Sequence, residues 1–286
     1  MTATTSKSNA DLDSTAHIMN LISDQLASQL SLVSRNGTRR QAPPALVLVA
    51  HGSRDPRALA TVHTLMERVR EQRPGLAVHL GHIELNEPLL PDTLAALGDR
   101  EAVLVPLLLS RGYHVKQDIP EMAAAAEART RLAAPLGPHP LLVDALHTRL
   151  VEAGWPTRMD DATRRTGAVV LAAAGSRDPE AAEDTGRTAQ LLADRLGVPV
   201  VPAYASAAAP TVADAVRALT ARGRTRIAMA SYFTAPGRFA RQCAQEAPWI
   251  AAAPLGAHPA MASLILHRYD ESLTTATRTL PLLASA

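Results

Sequence analysis

One cysteine in 286 residues, Cys243, leaves no internal disulfide partner and excludes a zinc or iron–sulfur site built from several thiolates. A reducing cytoplasmic compartment fits that usage. Aromatic residues make up only 3% of the chain, so platforms for stacking bases are scarce, and a formal charge of +2 is too balanced for a polyanion track. Nucleic acid is therefore not an expected partner. Lysine is almost missing: all but two of the 29 basic residues are arginine, the exceptions being Lys7 and Lys116. With alanine abundant throughout, this reads as the coding bias of a GC-rich genome. No run of about 18 apolar residues occurs, which excludes a membrane-spanning helix. The first residues lack a charged start and apolar core, and Asp11, Asp13 and Asp24 argue against a transit peptide. Neither a Walker motif nor G-x-G-x-x-G is present, so no nucleotide cofactor is expected.

What is there is 47% hydrophobic and 20% charged, as in a globular chain, with length enough for two domains of roughly 100 to 150 residues. Residues 1–43 read as a loose tail in which Ile18, Leu21, Ile22, Leu26 and Leu30 recur at helical spacing, so a short amphipathic helix is expected there. From Ala45 onward short apolar runs alternate with helical stretches, the pattern of a parallel sheet covered on both faces. Strands are expected at 46–50, 76–83 and 102–109. Helices are expected near 56–72, 91–97, from Pro120 and over 141–153, and a short further segment near 134–137. The pattern then restarts: VVLAAAGSRDP at 169–179 repeats LVLVAHGSRDP at 46–56, and LGAHP at 255–259 echoes LGPHP at 136–140. Two matches in the same order define a tandem duplication. Its domains are expected at 44–154 and 167–275, joined by GWPTRMDDATRRT and followed by a tail at 276–286.

The duplication supplies an internal comparison. Gly52 to Pro56 recurs unchanged as Gly175 to Pro179, a tight turn followed by an Asp helix cap and a proline at the first helical position. His51, however, is replaced by Ala174. Aligning Pro88 with Pro210 sets Glu84, after the second strand, against Ser206. His114, after the third strand, falls about where Arg238 stands. All three ionisable groups have gone from the second copy, as expected if they act together and one site suffices. In a doubly wound sheet of flavodoxin-like order the strand ends that carry His51, Glu84 and His114 are adjacent. Two imidazoles and a carboxylate suit a borderline divalent metal such as Fe, Co or Ni, and equally suit the removal of protons from a bound acid. His17, His63, His79, His82, His139 and His147 read as structural, His82 being the one nearest Glu84.

The stretches AHGSRDP, IELNEP, VPLLLSRGYHVKQDIP and LGPHP together resemble the class II chelatases of tetrapyrrole synthesis, in particular the sirohydrochlorin chelatases in their two-copy form. The resemblance covers about 45–275. It implies two tandem flavodoxin-like α/β domains facing across a cleft, and a fused dimer with one live site that works as a monomer. It implies ATP-independent insertion of a divalent metal into sirohydrochlorin, Fe2+ being expected and Co2+ or Ni2+ the alternatives. His51, Glu84 and His114 are then catalytic and meet the metal, which is a substrate. Sirohydrochlorin carries eight carboxylates around an apolar ring, for which Arg54, Arg111 and Lys116 are candidate partners, with Ser53 and Tyr113 as hydrogen-bond donors. Nothing in the second half carries over as catalytic. Three competing readings are cobalt or nickel insertion towards cobalamin or a related tetrapyrrole, a non-catalytic metal or tetrapyrrole carrier, and a phosphate binder using the GSRDP turn at a helix N-terminus.

Overall fold

The computed structural model describes residues 43–158 and 160–278. The expected tail helix lies outside them. The first strand, β1 (Ala45–Ala50), is buried along its whole length, as a central strand covered on both faces must be. It is followed by α1 (Pro56–Gln72), β2 (Val78–His82), α2 (Leu90–Leu97) and β3 (Glu101–Pro106). A π-helical turn, His114–Asp118, then runs into α3 (Ile119–Ala124), β4 (Arg129–Leu132) and α4 (Pro140–Glu152). The connection carries a short helix, α5 (Asp161–Thr166). The second copy comprises β5 (Gly167–Ala173), α6 (Pro179–Leu196), β6 (Val200–Tyr204), α7 (Val212–Ala221), β7 (Arg226–Tyr232), α8 (Arg238–Gln245), β8 (Ile250–Ala251) and α9 (Pro259–Arg278). The fourth strand of the first copy is Arg129–Leu132, not the 134–137 segment expected from the sequence. Its RTRL sequence is partly exposed at the sheet edge and has no apolar run to announce it.

Each copy forms a four-stranded parallel sheet, in the orders β2-β1-β3-β4 and β6-β5-β7-β8. The equivalent registers Leu46↔Val103 and Val169↔Ala228 fix which residues correspond. One face of each sheet packs within its own half. In the first, Val47, Val49 and Leu104 meet Leu90, Leu94 and Ile119. The other faces share one continuous core that runs from Leu46 and Leu48 through Leu142 and Leu146 to Leu171, Leu192, Ile265 and Tyr269.

In that shared core the last helix of each copy crosses over. α4 packs on α6 and β7 of the second half, and α9 packs on α1 and β3 of the first. Matching polar contacts fasten the exchange: Arg149 donates to the Leu255 carbonyl (3.0 Å from Nη2), and Arg268 donates to the Leu136 carbonyl (3.2 Å). Arg73 and Asp270 add a two-pronged ion pair at 2.6 and 2.8 Å. The described residues from Pro44 onward accordingly form one compact unit, and packing runs across the boundary of the sequence repeat.

Candidate active site

The site is built at the carboxyl ends of β1, β2 and β3. Leu107 donates its N–H to the Val49 carbonyl, Ile83 to Ala50 and Glu84 to His51, which ties the chain leaving each strand to its neighbour. Gly52 makes the corner possible. Its φ of 104° lies in the region that side chains rarely enter, and a Cβ there would sit 1.8 Å from the Glu84 carbonyl oxygen. Gly175 repeats the arrangement with φ 92° and the Ser206 carbonyl at the same 1.8 Å. Ser206 likewise donates its N–H to the Ala174 carbonyl. The corner that holds His51 and Glu84 is thus present in both copies, and only the first carries ionisable side chains on it.

The three residues singled out from the sequence come together. The His51 and His114 rings stand edge to face with centroids 4.6 Å apart. His51 Nδ1 lies 3.5 Å from Glu84 Oε1, at the edge of hydrogen-bond reach. His114 Nδ1 lies 2.5 Å from Asp118 Oδ2, a contact within one turn of the π-helical segment. Asp118 was not among the residues expected from the sequence, although its spacing from His114, four positions along a helical stretch, is the signal that could have found it. Each imidazole thus meets a carboxylate through Nδ1. This orients each ring and turns its Nε2 away from the carboxylate. Among the described residues no three His, Cys, Asp or Glu side chains are arranged to hold a metal ion by themselves.

The His114 ring stands against His51, which lines a cavity of about 1130 Å³ between the halves. That is at or above the top of the range of about 300–1,000 Å³ usual for small-molecule sites. His51, Ser53, Arg54, Glu84, Leu85 and Asn86 line it from the first half, and Phe233, Pro236, Arg238, Phe239 and Arg241 from the second. Leu85, with φ 68° and half its surface exposed, is a strained residue pointing an apolar side chain at this opening, and Ala207 repeats its backbone at φ 58°. The Ser53 hydroxyl accepts from the Asp55 N–H at 3.1 Å, which leaves its own proton for a ligand. Tyr113 is exposed beside His114, with ring centroids 6.4 Å apart.

The candidate cations divide. Arg54 lines the cavity, exposed, and has no carboxylate partner among the described residues. Arg111 and Lys116, the other two expected partners for substrate acids, are engaged with carboxylates of the protein itself. Arg111 pairs with Asp184 at 2.7 Å and with Glu180 and Glu183 at 3.0 and 3.3 Å, and these carboxylates push its guanidinium further up. Lys116 pairs with Asp178 at 2.7 Å and Glu180 at 3.1 Å, which raises the ammonium. All these acids belong to the second half. The unpaired cation that sequence reasoning did not place in the site is Arg238, which faces the same cavity with its guanidinium over the Phe239 ring at 4.7 Å.

His82, His139 and His258 have structural partners. His82 is 1% exposed with Nδ1 on the Pro88 carbonyl at 3.1 Å, and burial lowers its pKa. His139 and His258 accept the N–H groups of Leu141 and Ala260 at the starts of α4 and α9. The repeated L-G-x-H-P is thus a helix-start motif. Cys243 is buried and its thiol is pushed up to about 11 by desolvation, so it is not a nucleophile at neutral pH.

A duplicated α/β chain with carboxylate-backed imidazoles at its sheet ends, above an inter-half cavity, has the chelatase-like architecture. The solved structure of SirB from Bacillus subtilis with Fe3+ superposes with a TM-score of 0.66 at 23% identity, over 83% of this chain and 98% of that one. The CbiX family model matches residues 45–153 and again 168–272. The chain belongs to the CbiX family, in a two-copy form. A sirohydrochlorin ferrochelatase of Bacillus subtilis is 25% identical over 245 residues, 80% of this chain and 91% of its own length. A sirohydrochlorin cobaltochelatase of Methanococcus aeolicus is 37% identical over 86 residues, 29% of this chain. The chain spans 60% of the length of that archaeal relative.

Proposed function

We propose that this protein is a sirohydrochlorin chelatase, a lyase that inserts Fe2+ into the macrocycle without ATP. The observation that carries the reading is the meeting of two carboxylate-backed imidazoles, His51 with Glu84 and His114 with Asp118, where His51 and Glu84 line a cavity between the halves. Family membership and relatives that bear chelatase names support it.

The chemistry follows from charge balance. A metal-free macrocycle gains a divalent ion and loses two pyrrole protons, so its net charge does not change and the exchange needs no oxidant or reductant. What the protein must supply is a base close to the ring face and a route for the metal. A neutral imidazole can accept a proton or hold a metal through Nε2 while its Nδ1–H stays on a carboxylate, and the resulting imidazolium is stabilised by that same carboxylate. Glu84 and Asp118 orient the rings and share the positive charge. Glu84 also meets the incoming metal with His51 and His114. Arg54 and Arg238, on opposite sides of the cavity, hold the peripheral carboxylates, with Ser53 and Tyr113 donating further hydrogen bonds.

Imidazole and carboxylate donors accept iron, cobalt and nickel alike, so donor type does not set the metal. Anaerobic incubation of the full chain with sirohydrochlorin and Fe2+, Co2+ or Ni2+ in turn, followed by the absorption change of the macrocycle, tests the proposal. Insertion above the protein-free rate with Fe2+ is expected. Acceleration with Co2+ or Ni2+ only would change the metal, and tight binding of the macrocycle with no acceleration for any ion would make the protein a carrier.

A further inference from the structure

Two equivalent copies should make their mutual contacts twice, and several contacts obey this. The helix-capping Asp55 receives Arg241 of the second half at 2.8 Å, and its counterpart Asp178 receives Lys116 of the first at 2.7 Å. Arg241 and Lys116 occupy equivalent places after the third strand of each copy. The GSRDP turn is therefore kept in both halves for a reason beyond capping: its Asp closes the interface on either side.

The contacts around Leu109–Arg111 break the rule. The Tyr232 hydroxyl donates to the Leu109 carbonyl at 2.9 Å, and Thr188 lies 3.1 Å from the same hydroxyl. Asp184 takes the Arg111 backbone N–H at 2.8 Å and its guanidinium at 2.7 and 3.0 Å. Asp184 is 1% exposed and Tyr232 3%. Gly137 leaves room for this approach, since a Cβ there would meet both the Leu109 carbonyl and the Tyr232 hydroxyl at 2.4 Å. In the mirrored position nothing comparable can form: Arg111, Asp184 and Tyr232 correspond to Pro236, Thr61 and Leu107. The one-sided anchor falls on the loop that carries His114, three residues beyond Arg111 and two before Lys116.

We propose that Asp184 and Tyr232 are positioning residues for His114. The second half has lost its own ionisable triad and retains an anchor that holds the live imidazole against His51. Interface adhesion alone does not account for the asymmetry, because a carboxylate taken out of water is a poor stabiliser compared with apolar packing, and the mirrored side closes without one. The inference rests on the role given to His114 above.

The test uses the full chain. Histidine-ring NMR, with His114 assigned by its loss in His114→Ala, reports ring placement whether or not the protein turns over. In Asp184→Asn the cross-peak between the His51 and His114 rings should disappear, while the helix-start rings of His139 and His258 keep their shifts. The insertion kcat should fall about tenfold or more, with KM for the macrocycle within about twofold. Asp184→Glu should recover part of the rate. In a His114→Ala background Asp184→Asn should cost nothing further, because its effect passes through that imidazole. Should Asp184→Asn not fold, two other variants carry the same expectations: Tyr232→Phe, and the doubly apolar Arg111→Met with Asp184→Leu, which removes the buried charge and leaves Glu183, an exposed carboxylate, to water. An unchanged ring cross-peak in folded variants overturns the proposal, as does an unchanged kcat or an equal loss with and without His114. A wild-type chain that inserts no metal would overturn the chelatase reading instead, and the ring cross-peak would still decide the positioning.

Discussion

Position 51 comes with its own control, since Ala174 occupies the same corner with the same backbone hydrogen bonds in the second half. His51→Ala should therefore leave the thermal midpoint unchanged while the insertion rate falls about a hundredfold or more, the usual loss of a general base. A rate near wild type would remove His51 from the chemistry. Gly52 gives the opposite expectation: Gly52→Ala drives a Cβ into the Glu84 carbonyl at a backbone angle that alanine resists. It should destabilise the fold by about 3 kcal/mol or more, measured by urea unfolding. The duplicate made the meeting of His51, Glu84 and His114 legible because it showed which letters the turn keeps and which it does not. It did not disclose Asp118. Nor did it disclose the ion pairs of Arg111 and Lys116, because nearness to His114 in sequence does not say which way a loop cation turns. Both turn toward acids of α6, at the interface rather than in the cavity.

Helices and strands were legible where one rule acted alone. The buried runs of β1 and β5 and the Asp-Pro starts of α1 and α6 follow from apolar continuity and capping. The π-helical turn at His114–Asp118 was not legible, because HVKQD has no apolar face. Its conformation comes from contacts on either side, through Arg111 and Lys116. β4 escaped for the related reason that an edge strand need not be apolar. The repeated L-G-x-H-P was visible as a repeat, yet its physical role, a histidine accepting a helix-start N–H, shows only in the structure. His139→Ala should cost about 1 kcal/mol, as the loss of an N-cap does, and leave insertion untouched. A comparable loss of kcat in that variant would mean that the histidine assignments are incomplete.

At the scale of the whole molecule, His79, His82, His139, His147 and His258 share one property: burial lowers the pKa of each below its ordinary 6.5. Folding holds them neutral, whereas the unfolded chain takes up protons as the pH drops past about 6.5. Their contribution is complete above that value and drains away below it. The thermal midpoint should thus decline between about pH 6.5 and 5, well before the capping aspartates, whose pKa values lie below the ordinary 3.8, begin to protonate. A midpoint flat across that interval would contradict the assignment. The exchange of α4 and α9 has a larger consequence that no repeat alignment could reveal. In α9, Met261, Leu264, Ile265 and Tyr269 are at most 2% exposed, in the core that also holds Leu46, Leu48 and Leu65. Each such side chain is worth about 1.5–3 kcal/mol, so removing the helix takes away an amount comparable with the whole stability of about 5–15 kcal/mol of a typical domain. A fragment ending at 158 would lose that cover and leave its own α4 without β7 and α6 to pack on. It should elute as a dimer or aggregate, since another copy of itself offers the nearest substitute surface. Co-expressed with a fragment beginning at 160, it should form a one-to-one complex in which cavity and insertion activity return together, because the cavity is lined from both halves. Size-exclusion chromatography with an insertion assay on each peak decides the matter: a monomeric first fragment with full activity would show that neither the exchanged helix nor the second half takes part in the working site.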